Sequence, residues 1–323
     1  MPQAIRVHAP GGPEMLRMEN ISIMEPGPGE VLLRQTAVGV NFIDIYHRTG
    51  LYKLNYPAGL GIEAAGIVEK AGEGAQFRPG DRVAYSGGPA GAYAEYRTLP
   101  AKLLVKLPQR ISEQVAAAVM LKGLTAHYLL RLTYKVRKGD TILIHAAAGG
   151  VGLLVCQWAR HLGATVIGTV GSEEKAALAA KNGCDYPILY TKENFAERVK
   201  EITQGRGVDV VYDSVGKTTF MDSLDCLKRF GMLVSFGQSS GPVPSFDISI
   251  LSQKGSLYLT RPILMHYIDD TNAYRVHAAE LFDLIEKGDL NVHIAATYPL
   301  AEAVQAHRDL EARKTTGAAV LLP

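Results

Sequence analysis

The eight residues from His145 to Gly152, HAAAGGVG, bring small side chains together at a spacing suited to holding an anion against bare backbone. Ala147, Gly149 and Gly152 take the three small positions of a dinucleotide-binding turn, with alanine in place of the first glycine. Gly149 lets the backbone approach a pyrophosphate, and Gly152 lets the following helix pack closely on the preceding strand. The unpaired N–H groups at the helix start then donate to the anion. About twenty residues further on, an NAD site places an acid on the ribose 2′-OH. Here the sequence reads GTVGSEEK, with Gly171 where that acid would stand. Ser172 offers a hydrogen bond and Lys175 a positive charge to a 2′-phosphate, which points to NADPH. Glu173 and Glu174 suit the first turn of the next helix, where negative charge favours the helix dipole. Taken alone, the glycines also fit a tight structural turn and Lys175 an exposed helix lysine, so the surrounding elements have to decide.

A second motif competes. GQSSG, Gly237 to Gly241, follows an apolar run and matches a nucleophile elbow with Ser239 at its centre. Such an elbow must run straight into a helix, and Pro242 and Pro244 oppose one, so hydrolase chemistry is set aside.

The elements needed to position the first motif are present. TILI precedes it and LLVCQWARHLG follows, with Val151, Val155, Trp158, Ala159 and Leu162 on one helical face. From about residue 125 onward, apolar β-branched runs (TILIHAAA, TVIGTV, VDVVYDSV, MLVSFG) alternate with helical patterns, which predicts a doubly wound parallel sheet. Residues 1–124 read differently: short β-branched runs broken by EPGPGE, RPGD and SGGPAGAY predict a smaller, mostly β domain. The division expected is 1–124, a nucleotide-binding domain 125–260, and a return to the first domain over 261–323, with a cleft between the two. KGSLYLTRP reads as an edge strand that a second copy would cover, giving a homodimer.

With 323 residues, 47% hydrophobic and 20% charged, and a net charge of +2, the chain is an ordinary globular one with no basic face for nucleic acid. Lys122 interrupts the apolar stretch VAAAVMLKGLTAHYLL, and the N-terminal residues lack a signal-peptide core, so a cytoplasmic protein with no membrane partner is expected. Cys156, Cys184 and Cys226 sit in apolar segments and read as buried free thiols.

The segments GGPEML, VGVNFIDIYHRTGLY, GLGIEAAGIV, GDRVAY, LKGLTAHYLL, HAAAGGVG, VVYDSVG and SFGQSSG together resemble the zinc-free, zeta-crystallin-like quinone oxidoreductases of the medium-chain dehydrogenase/reductase superfamily. The resemblance implies a GroES-like β domain joined to a Rossmann domain, and NADPH-dependent reduction of a quinone or, alternatively, of an α,β-unsaturated carbonyl. It assigns Asn41, Asp44, Tyr46 and Tyr52 to the nicotinamide and acceptor, and Thr125 and Tyr128 to the nicotinamide end. Gly149, Gly150 and Val151 would line the pyrophosphate, and Gly171, Ser172, Lys175 and Tyr190 the adenosine and its 2′-phosphate. Phe236, Gly237, Ser239 and Ser240 would border the nicotinamide ribose, and Arg313 would reach the cofactor from the C-terminal segment. Without the resemblance, Tyr46 and Tyr52 also fit core aromatics and Arg313 a surface helix end. An RNA-binding or structural role, reported for some relatives of this kind, has no support in the charge pattern.

Zinc alcohol dehydrogenases of the superfamily carry Cys near the position of Asn41 and His at that of Ile62. Neither residue here is such a ligand, and no cysteine precedes Cys156 to form a structural zinc lobe, so no metal is expected. Quinones and enones are electron-poor enough to accept hydride largely through proximity.

Overall fold

The computed structural model describes residues 1–323. The chain begins with strands β1 (Gln3–Val7), β2 (Arg17–Asn20) and β3 (Glu30–Val40), then helix α1 (Phe42–Arg48) and strands β4 (Ala58–Gly59), β5 (Glu63–Ala71), β6 (Arg82–Ser86), β7 (Tyr96–Pro100) and β8 (Val105–Lys106). Helix α2 (Glu113–His127) follows and widens into a π-helical turn over Tyr128–Thr133. The stretch Glu113–Thr133 is long and apolar enough to cross a membrane by length and composition. Most of it, 78% of its most apolar window, is buried in the fold, as in the core helix of a globular protein. Lys122 does not interrupt that helix as an exposed polar residue; it is buried and ion-paired with Glu63.

Next come β9 (Thr141–Ile144), α3 (Gly150–His161), β10 (Thr165–Val170), α4 (Glu173–Lys181), β11 (Tyr186–Leu189), α5 (Phe195–Ile202), β12 (Val208–Asp213), α6 (Phe220–Asp225) and β13 (Leu227–Ser235). The short α7 (Ser249–Gln253), β14 (Tyr258–Thr260) and α8 (Leu264–Tyr267) complete this region. All neighbouring strands here pair in parallel, in the order β11-β10-β9-β12-β13-β14. Numbered from β9, that is the order 3-2-1-4-5-6 of a dinucleotide-binding sheet, with its switch point between β9 and β12. The centre reads as continuous apolar runs because helices cover both faces: TILI of β9 is wholly buried, as is VDVVYD of β12.

The chain then returns through α9 (Thr271–Glu286), β15 (Ile294–Pro299), α10 (Ala303–Glu311) and β16 (Ala318–Leu322). One compact unit comprises Met1–Leu124, Asp270–Glu286 and Val292–Pro323, the other Thr125–Asp269 with Lys287–Asn291. Within the first unit, β16 adds antiparallel to β3 at Val38–Val40, while β7 pairs with β3 at Glu30–Arg34. The C-terminal strands thereby extend the seven-stranded β15-β16-β3-β5-β6-β8 sheet, to which β7 also belongs. A core of Val31, Leu33, Val38, Tyr85, Leu99 and Leu321 lies against it.

Candidate functional site

At the switch point the chain leaves β9 through a tight turn. Ala146 has a φ of +55°, in the left-handed region. Gly149 is the N-cap of α3 in extended conformation and provides no side-chain cap, so the first N–H groups of the helix are not claimed by a capping side chain. A Cβ on Gly152 would lie 2.3 Å from the Ala146 carbonyl oxygen and 2.7 Å from that of Ala147, so only glycine lets α3 sit this close to the turn. Buried His145 holds the turn from beneath, 2.9 Å from both Thr169 Oγ1 and Ser223 Oγ.

Beyond β10, Ser172 caps α4 by accepting from the Lys175 backbone N–H at 3.3 Å, which leaves its own hydroxyl proton to donate elsewhere. A Cβ on Gly171 would meet the Tyr190 hydroxyl at 2.8 Å, so Gly171, Ser172 and Tyr190 border one place, with Lys175 half-buried in the first turn of α4. Glu173 points into solvent and pairs with Lys192 at 2.6 Å. The loops after β12 and β13 are tied together: Ser239 N–H donates to Ser214 O, Ser240 Oγ to Val215 O, and Gly237 has room for no side chain against Ser214. Phe236 N–H donates to the Asp213 carbonyl at the end of β12. Ser239 is followed by loop, with no helix before Ser249, which removes the elbow geometry. Thr125 is buried, and Tyr128 is buried and stacked on Tyr267 with ring centroids 4.6 Å apart. Gly150 and Val151 open α3 and are half-buried.

The other unit carries a second constellation. Asn41 precedes α1, and the Asp44 carboxylate turns back so that its Oδ2 accepts from Asn41 N–H at 2.9 Å. Tyr93 donates to the same oxygen at 2.9 Å, and its hydroxyl lies 3.0 Å from His307 Nε2. His307 Nδ1 is 3.1 Å from Arg48 Nη1, and Arg48 grips Glu311 with two nitrogens, at 2.6 and 3.1 Å. A guanidinium only donates, so His307 Nδ1 accepts and its Nε2–H donates to Tyr93, which donates in turn to Asp44. The chain of bonds therefore has one direction and ends on Asp44 Oδ2.

Asp44 Oδ1 is buried without a hydrogen-bond partner, as are His47 Nδ1 and Ser86 Oγ. Burial pushes the Asp44 carboxyl from 3.8 up to about 7, against the opposing pull of the Asn41 and Tyr93 hydrogen bonds and the Lys122 charge. A proton on Asp44 therefore belongs on Oδ1, because two donors already face Oδ2. Burial and the Asp44 charge raise the Tyr93 phenol well above its ordinary value, which keeps it a donor. Burial, reinforced by Arg48, pushes His307 from 6.5 down to about 3.

Tyr46 and Tyr52 stand edge to face, 5.2 Å between centroids, both half-buried beside this cluster on and after α1. Arg313 lies in the same unit, on an exposed turn after α10 with a φ of +56°. Glu63, Tyr93, His307 and Arg48 were absent from the residues singled out by sequence, and Lys122 was named there only as a break in an apolar stretch. Glu63, Lys122 and Arg48 lay inside segments that carry the resemblance and Tyr93 ended the turn segment SGGPAGAY; only His307 fell outside every quoted segment.

Residues 27–109 match the model of the alcohol dehydrogenase GroES-like domain, and 150–271 that of the zinc-binding dehydrogenases. A quinone oxidoreductase of Pseudomonas aeruginosa is 54% identical over the full length of both chains. The chain belongs to the quinone oxidoreductase family. The crystal structure of the Escherichia coli quinone oxidoreductase complexed with NADPH superposes on it with a TM-score of 0.98 at 48% identity, covering 99% of this chain and 100% of that one. A 2-haloacrylate reductase from Burkholderia is 47% identical over 100% of this chain and 99% of its own. The zinc in the name of one family model finds no fitting donors in this quinone oxidoreductase. Asn41 Oδ1 is engaged at 2.7 Å by the Lys122 ammonium, Ile62 is a buried hydrocarbon, and no three His, Cys, Asp or Glu side chains converge on a point.

Proposed function

We propose that this family member is a cytoplasmic, zinc-independent NADPH:quinone oxidoreductase. The observation that carries the reading is the uncapped glycine turn at the switch point of a 3-2-1-4-5-6 sheet, where such sheets bind dinucleotides. Gly149, Gly150 and Val151 would hold the pyrophosphate, Ser172, Lys175 and Tyr190 the adenosine end, and Phe236, Gly237, Ser239 and Ser240 the nicotinamide ribose. When bound, NADPH supplies a hydride to the acceptor.

The chain's own residues would bind and orient that acceptor. Asn41 would donate to an acceptor oxygen, with Tyr46 and Tyr52 flanking it. Hydride from the cofactor and one proton together convert a quinone to its hydroquinone, while Asp44, fully buried with its carboxyl raised to about 7, holds the Asn41 backbone N–H and the Tyr93 hydroxyl beside the site. The edge strand β14, with Tyr258 58% exposed, supports pairing with a second copy across a two-fold axis.

The similarity to a 2-haloacrylate reductase favours a second reading, reduction of α,β-unsaturated carbonyls at the same site. An acceptor panel followed by NADPH absorbance separates the two: quinones are expected to be reduced with the highest kcat/KM, and higher values for enones would select the second reading. Cofactor choice gives an independent check. Lys175→Ala is expected to raise KM for NADPH about 5- to 150-fold, through loss of roughly 1–3 kcal/mol of charge-assisted bonding, and to leave KM for NADH nearly unchanged. Equal effects on both cofactors would remove Lys175 from the 2′-phosphate.

A further inference from the structure

Beside the proposed acceptor site, the carboxamide of Asn41 lies between two buried charges. Lys122 Nζ donates to Asn41 Oδ1 at 2.7 Å, and Asn41 Nδ2 donates to Glu63 Oε2 at 2.7 Å. The ammonium also reaches Glu63 Oε2 at 3.3 Å, and Glu63 Oε1 takes the Leu121 backbone N–H at 2.6 Å. Lys122 is 6% exposed and Glu63 fully buried. Gly39 makes room for the carboxylate, since a Cβ there would lie 2.1 Å from Glu63 Oε2 and 2.3 Å from the Ala117 carbonyl oxygen.

Ammonium groups only donate and carboxylates only accept, so the amide has one permitted orientation. Rotating it by half a turn would set N–H groups against Lys122 and an oxygen against Glu63. In the permitted orientation one Nδ2 hydrogen is left over for a further acceptor. A buried ion pair is seldom more stabilising than apolar residues of the same volume, so stability alone gives little reason for charges here. An orientation to enforce does.

We propose that Lys122 and Glu63 are positioning residues of the acceptor site, locking Asn41 so that it meets a substrate carbonyl oxygen with an N–H and never with its own C=O. The inference rests on the proposed placement of Asn41 at the acceptor. Such a lock acts on the chemical step: as hydride arrives, negative charge grows on the acceptor oxygen, and a donor already aimed at it needs no reorganisation.

The test pairs kinetics with a direct view of the amide. Selective 15N labelling of the seven asparagines allows the Asn41 side-chain pair to be identified by its loss in Asn41→Ala. In the wild type its N–H groups are expected to exchange slowly with solvent; in Lys122→Met they are expected to exchange at least tenfold faster. With 1,4-benzoquinone, Lys122→Met should lower kcat tenfold or more while KM for NADPH stays within twofold, and Lys122→Arg should restore most of the loss. The single change leaves Glu63 charged without its partner, so the charge-neutral double variant Glu63→Gln with Lys122→Met is run in parallel and should show the same loss. An unchanged kcat in either folded variant overturns the proposal, as does a lowered kcat with Asn41 exchange unaltered. Failure of the wild type to reduce any quinone or enone overturns the functional reading instead, while the exchange rates still decide whether the pair locks the amide.

Discussion

Measured against Asp44→Asn, the wild-type protein is expected to lose up to about 4 kcal/mol of folding stability as pH rises from 4 to 8. The Asp44 carboxyl titrates near 7 when folded and at its ordinary 3.8 when unfolded, chiefly because burial disfavours its charge. Between those values the folded protein keeps a proton that the unfolded chain has released, so raising the pH favours unfolding. Below about 4 both forms are protonated and the cost is absent; above about 7 both are ionised and it is complete. At about 1.4 kcal/mol per pH unit, this window gives the stated figure as an upper bound. Asparagine retains an oxygen for the Asn41 and Tyr93 donors and cannot ionise, so the difference between the two proteins isolates the carboxyl.

His307 runs the other way. Its folded value near 3 lies below its ordinary 6.5, so its contribution is lost as pH falls from 6.5 towards 3. Across the overlap the two slopes oppose each other, and the wild type should be nearly flat from about pH 4 to 6.5 as far as this pair is concerned. In Asp44→Asn the histidine slope stands alone, and stability should climb through that range. Urea unfolding at a series of pH values measures both curves. A wild-type-minus-variant difference that does not change with pH would mean that Asp44 titrates alike in the folded and unfolded chain and that burial does not raise it.

The nucleotide half of the molecule was far more legible in sequence than this network, for a physical reason. A dinucleotide turn is local: strand, small residues and helix start fall within a dozen positions, and Ser172 and Lys175 follow one strand later. Periodicity and turn chemistry read such segments directly. The cluster around Asp44 is assembled from α1, β5, the segment before β7, α2 and α10, elements far apart in sequence that long-range pairing such as β16 on β3 and side-chain bonds such as Arg48 to Glu311 bring together. No period marks a histidine 259 residues from the arginine it meets. Lys122 was misread for the same reason: in an apolar run a lone lysine looks like an interruption, and only the distant Glu63 and Asn41 turn it into a buried partner. Asn41 and Asp44, three apart at the start of one helix, were within reach of local reasoning, and the structure ties them by a direct bond. Tyr128 shows the opposite limit, since the stacking partner that buries it, Tyr267, lies far along the chain.

Two glycines of the turn are expected to separate packing from cofactor binding. Gly149 has a φ of −80° and a ψ of 174°, extended backbone that alanine adopts without strain, and its Cβ would touch only the Ala146 carbonyl oxygen at 3.1 Å. Relieving that single close contact takes a shift of a few tenths of an ångström in the Ala146 carbonyl, so Gly149→Ala should unfold within about 1 kcal/mol of the wild type, well short of the cost at Gly152. Its methyl group would nevertheless stand at the mouth of α3, where a pyrophosphate must come against the backbone, and NADPH affinity should fall about tenfold or more. Gly152→Ala meets two backbone carbonyl oxygens well inside contact distance, and neither can rotate aside as a side chain would. Relief requires α3 to move off the strand or the turn at Ala146, already left-handed, to open, at a cost of about 1–3 kcal/mol, with NADPH binding lost as well. Urea unfolding and fluorescence titration with NADPH read the two effects separately. Wild-type NADPH affinity in Gly149→Ala would show that no phosphate approaches this turn, and the proposed cofactor site would then have to lie elsewhere on the sheet.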